Sequence, residues 1–110
     1  MRARPARFAR KAPTRLSIDY PGQGERIFCA HYTLRISAPE AARSVDVSID
    51  QGPWRHCRQA AGHWWYDWTC WDCGEHEVIA RVRTREGEVV SCEPHEFLVD
   101  LEPHQEEANA

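Results

Sequence analysis

Between residues 44 and 85 the chain alternates apolar and polar side chains with a period of two, interrupted only at Gly- and Pro-containing turns. Successive side chains on a strand point to opposite faces, so this pattern describes antiparallel strands with one buried face. Residues 44–50 set Val45, Val47 and Ile49 inward and Asp46, Ser48 and Asp50 outward. Gln51-Gly52-Pro53 turns the chain into a short edge strand over 54–58. Residues 63–69 form a fifth strand, with Trp64, Tyr66 and Trp68 on the core side and Trp65 and Asp67 facing out. A sixth strand covers 75–85, with His76, Val78, Ala80 and Val82 on one side.

The flanks carry the same pattern. A first strand over 14–20 closes at Pro21-Gly22-Gln23-Gly24. A second covers 26–37, with Phe28, Ala30, Tyr32, Leu34 and Ile36 as one face. Residues 38–42 connect, with room for one helical turn. After the Glu86-Gly87-Glu88 turn the last strand is split by Pro94 into 89–92 and 96–101. Seven strands at this spacing predict an all-β fold, a seven-stranded antiparallel immunoglobulin-like β-sandwich over 14–101.

Val-Ser-Ile-Asp-x-Gly-x-Trp from Val47, the aromatic strand, and Gly-x-His-x-Val-x-Ala-Arg from Gly74 resemble bacterial Ig-like and fibronectin-type-III-like domains. They are also similar to the Ig-like C-terminal domain of sulfite-oxidase-type molybdenum enzymes. The sequence departs from that second pattern at Gln51, where that family has Gly, and in its Ala80-Arg81 order. The resemblance implies a domain that dimerises, packs on a catalytic domain or presents a binding surface. It carries over no catalytic residue and no molybdenum chemistry.

Charge divides the 110 residues unevenly. The first fifteen hold six basic side chains and no acidic one, while the remainder carries eight bases against seventeen acids. Residues 1–13 therefore read as a flexible basic arm and 102–110 as an acidic tail. With Phe8 its one aromatic residue, the arm suits partner docking better than nucleic-acid binding. No apolar run reaches membrane-spanning length. No apolar segment of signal-peptide type follows the basic start, which leads us to expect a cytoplasmic location.

Five cysteines, an odd number, point to reduced thiols or a metal site rather than a disulfide framework. If successive strands alternate direction, Cys29, Cys57, Cys70 and Cys73 approach one end of the sandwich, a set that would suit tetrahedral structural zinc. Cys70-Trp71-Asp72-Cys73 has the spacing of a ligand pair. It sits between strands, where thioredoxin-like redox chemistry is not expected.

All five tryptophans fall between Trp54 and Trp71. With Trp64 and Trp68 inward, Trp54, Trp65 and Trp71, together with Asp50 and Asp67, form the candidate binding surface. Its primary reading is contact with a protein partner, or self-association through an edge strand. A carbohydrate-binding module that stacks sugars on the exposed Trp residues is the alternative. A zinc-stabilised or redox-sensing domain is a third. No nucleophile motif or phosphate loop is present, so the expectation is a non-catalytic module.

Overall fold

In a computed structural model, residues 15–101 are described; the basic arm over 1–13 and the acidic tail over 102–110 lie outside this range. The strands are β1 (Ser17–Tyr20), β2 (Arg26–Ile27), β3 (His31–Ser37), β4 (Ala42–Ile49), β5 (Arg55–His56), β6 (Arg58–Ala60), β7 (His63–Thr69), β8 (Gly74–Thr84), β9 (Val89–Ser91) and β10 (His95–Val99). They form two facing sheets. The first has the order β1-β3-β7-β6; the second has β2-β10-β8-β4-β5, with β9 beside β8. The described residues contain no helix, and none is long and apolar enough to cross a membrane.

Each of the seven expected stretches holds a strand, but three are interrupted. The second and fourth break because the chain changes sheets. β2 pairs with β10, and β3 then pairs with β1 and β7. Likewise β5 pairs with β4 in the second sheet, and β6 with β7 in the first. Changing sheets also changes which alternate residues face the core. Ile27 and Ala30 are therefore buried while Phe28, expected on the inner face, is 61% exposed. The last stretch breaks before Pro94, and β9 and β10 lie end to end along the same side of β8.

Two hairpins have tight turns whose two central residues both take positive φ, the geometry that matches the natural strand twist. One is Asp50-Gln51, at 53° and 62°, closed by Gly52 N–H donating to the Ile49 carbonyl at 2.9 Å. The other is Ala61-Gly62, between paired Ala60 and His63.

The core lies between the sheets. Leu34 and Ile36 come from the first, and Val45, Val47, Val78, Val82, Phe97 and Val99 from the second. Burying each large aliphatic or aromatic side chain contributes about 1.5–3 kcal/mol. Asp46 and Ser48, expected to be exposed, are buried. They do face outward, but β4 sits between β8 and β5, and neighbouring side chains cover it. Ser48 donates to the Gly52 carbonyl at 2.8 Å. Asp46 accepts from Arg81 Nε at 3.1 Å and meets His56 Nδ1 at 2.6 Å.

Candidate functional site

The expected surface residues occupy three separate places. Trp54 precedes β5 on the outer face of the second sheet, where the Arg81 guanidinium lies 4.2 Å from its ring centroid. Arg81 is in turn fixed by Asp46, so a cation–π contact and an ion pair hold the indole in place. Trp65 is on the outer face of the first sheet, on the opposite side of the sandwich. Its indole N–H donates to the Ala60 carbonyl at 2.8 Å, and His63 packs edge-on against it. Beside it Asp67 accepts from Thr33 at 2.8 Å and from Arg58 at 3.2 Å. Those bonds, Thr33 first and then Arg58, hold its carboxyl below the usual range. Cys57, Arg58, Trp65 and Asp67 line a shallow groove of about 400 Å³.

Trp71 and Asp50 lie at one end of the sandwich, where the β7–β8 turn meets the β2–β3 loop. Cys70 N–H donates to the Ala30 carbonyl at 2.9 Å, joining the two loops directly. Trp71 is 70% exposed and meets the His31 ring edge-on at 5.7 Å, while Phe28 projects from the neighbouring loop. The end therefore presents two large exposed aromatic residues on loops bonded to each other.

Behind them is a cluster that the sequence pattern does not reveal. His76, at the start of β8, has a side chain only 9% exposed. Its ring stacks on Phe97 and meets Trp68 edge-on. Nδ1 is 2.7 Å from Asp50 Oδ2, and Nε2 is 2.9 Å from the Asp72 carbonyl oxygen. Both partners only accept, so the doubly protonated ring, donating from both nitrogens, is the form that satisfies both contacts. Burial on its own would lower the proton affinity of His76; the Asp50 hydrogen bond and then the Asp72 carbonyl outweigh it and raise its pKa above the ordinary 6.5. The sulfur of Cys70 lies 3.7 Å from the same Nε2. Asp50 also accepts from Glu77 N–H at 3.0 Å. A depression of about 330 Å³ opens beside the ring, lined by Asp50, Glu75, Glu77 and Glu96. His76 on an inward register reads as an ordinary core histidine until the turns that supply Asp50 and Cys70 are placed.

The four cysteines considered for zinc are not gathered. All five thiols are unpaired. Cys70 and Cys73 share the β7–β8 turn, and Cys29 donates to the His31 carbonyl in the adjacent loop. Cys57 is elsewhere, because the chain doubles back after the Asp50 turn. It marks the crossing from β5 to β6, its N–H bonded to the Val45 carbonyl. Its neighbour Arg58 pairs with Trp65, five residues along β7 from Cys70, or roughly 16 Å at strand rise. Burial, and then the Asp46 carboxylate, push the Cys57 thiol up to about 12. Among the described residues no group of three or more His, Cys, Asp or Glu side chains is arranged to hold a metal ion.

Two sheets with these strand crossings define an immunoglobulin-like, fibronectin-type-III-like β-sandwich, and solved structures support that class. The chain is similar to the fibronectin(III)-like modules of Clostridium thermocellum CbhA, at 16% identity and a TM-score of 0.66, over 78% of this chain and 46% of that one. It is similar to an engineered protein at 23% identity and a TM-score of 0.67, over 82% of this chain and 21% of that one. It is also similar to a modular endo-beta-1,4-mannanase from Cellulomonas fimi, at 21% identity and 0.63, over 81% of this chain and 19% of that one. The chain thus spans less than half the length of each. At these identities the likeness concerns the fold, and none of the three points to sulfite-oxidase-type enzymes. No family model matches the chain, and no curated protein matches it in sequence.

Proposed function

We propose that this chain is a non-catalytic accessory module that docks onto a protein partner through the aromatic end formed by Phe28 and Trp71. The observation that carries this reading is the exposure of two large aromatic side chains on loops tied by the Cys70–Ala30 hydrogen bond. Exposed aromatics are costly in water and are enriched where partners bind. Similarity to modules found within larger chains supports an accessory role. The carbohydrate-binding reading is weaker. Trp54 and Trp65 lie on opposite faces, and the polar edge of Trp65 is already used internally.

Photo-crosslinking residues placed at positions 28 and 71, with a control at Glu86 on the far hairpin, test the proposal in cells that make the chain. Positions 28 and 71 should yield the same discrete cross-linked protein, a second copy included, and Glu86 should yield none. No product from either position, or equal capture at Glu86, refutes the docking end. Retention on cellulose or mannan that is lost in Trp65→Ala but kept in a Phe28→Ser/Trp71→Ser variant would establish the glycan reading instead.

A further inference from the structure

We propose that Cys70 is a reactive thiol, activated by the His76–Asp50 pair, and a site of oxidation by hydroperoxides. The argument rests on geometry. His76 Nε2 lies 3.7 Å from the Cys70 sulfur while Nδ1 is held by Asp50 at 2.7 Å. A base or cation beside a nucleophile, itself oriented by a carboxylate, is the arrangement that activates thiols. The Phe97 face and the Trp68 edge exclude water from the ring, which strengthens its charge toward the sulfur.

The other four thiols have no histidine contact of this kind: Cys29 donates to the His31 carbonyl, Cys73 accepts from Leu101 N–H, Cys92 accepts from Ala80 N–H, and Cys57 is half-buried beside Asp46. As a thiol, Cys70 also reaches the Asp72 carbonyl at 3.6 Å, so what sets it apart is the His76 contact. The charged groups around His76 are the carboxylates of Asp50, Asp72, Glu75, Glu77 and Glu96. They oppose a further negative charge, so activation depends on the imidazolium being in direct contact with the sulfur. In the reaction the Cys70 thiolate attacks one peroxide oxygen; the S–O bond forms and the O–O bond breaks. Sulfur is oxidised by two electrons to a sulfenic acid. The leaving hydroxide or alkoxide takes a proton from His76 or water and departs as water or alcohol.

The test uses the full chain and needs no partner. At pH 7 the native protein is treated with limiting iodoacetamide, or with hydrogen peroxide followed by a sulfenic-acid trap, and each cysteine is quantified by peptide mass spectrometry. Cys70 should react about tenfold faster than the exposed Cys29 and Cys73, neither of which has a histidine nitrogen against its sulfur. His76→Gln should bring Cys70 down to the rate of Cys29 without changing the others. Circular dichroism reports whether that variant folds. If it does not, Asp50→Asn, altered at an exposed turn, decides the matter through the same loss of Cys70 rate. A Cys70 rate no higher than that of Cys29, or one unchanged in a folded His76→Gln or Asp50→Asn protein, overturns the proposal.

Discussion

Replacing Asp46 with alanine tests how far the outer face of the second sheet is held by charge. The carboxylate is 9% exposed and makes two charge-assisted contacts, with Arg81 Nε at 3.1 Å and His56 Nδ1 at 2.6 Å. Breaking a fully buried ion pair costs about 3–5 kcal/mol because the surviving charge is stranded. Here it is not stranded. His56 is 90% exposed and Arg81 is 29% exposed, so both regain water when the carboxylate is lost. The governing magnitude is then that of charge-assisted hydrogen bonds, about 2 kcal/mol in total. For a domain of this size that corresponds to roughly 8–16 °C in Tm. Urea unfolding of the wild type, Asp46→Ala, Arg81→Ala and the double variant would measure the loss and the coupling, expected at about 1 kcal/mol. A loss below about 0.5 kcal/mol, or strict additivity, refutes the ion-pair account. A loss near 5 kcal/mol refutes the rehydration argument.

Two further outcomes follow from the same structure. Because the folded His76 pKa is raised above 6.5, its contribution to stability is complete below pH 6.5 and is lost as pH rises through the folded value. The urea midpoint of the wild type minus that of His76→Gln should fall over that window and then level off; a flat difference from pH 5.5 to 8.5, an interval of about three units around the histidine range, contradicts it. Cys57, with its thiol pushed up to about 12, should resist aromatic disulfide reagents in the native protein at pH 8 and react fully in urea. Native labelling at the rate of Cys29 would show that the β5–β6 crossing opens.

The strands were legible where one sheet supplies both neighbours. β7 runs over His63–Thr69 as expected, with Trp64 buried and Tyr66 and Trp68 packed against the core. Alternation fails where the chain changes sheets. Ile27 and Phe28 are adjacent apolar residues, and nothing local reveals that the inner face moves from one parity to the other between β2 and β3. The burial of Asp46 was hidden for a related reason: outward orientation is a property of the strand, whereas coverage depends on Arg81 and His56, 35 and 10 residues away. The site was legible only in part. Trp71 reads as a turn residue and Asp50 as the outward last residue of a strand, but Phe28 falls on the inward parity of the second expected strand and His76 acquires its partners from two different turns. Strand count alone puts Cys57 at the Cys70 end, but the doubling back at Asp50-Gln51 followed by the sheet change leaves it part-way along the sandwich.

The pairing of β2 with β10 also sets the order in which the domain can be completed as it is made. Ile27 lies opposite Val99, about seventy residues downstream, and Gly24 N–H donates to the Glu96 carbonyl at 2.7 Å. At roughly 5–20 residues per second, translation takes roughly 4–14 s after β2 is made to supply its partner. During that interval Ile27 is without its strand neighbour and Phe28 lies next to it. A chaperone or a neighbouring nascent chain would meet this segment before β10 does.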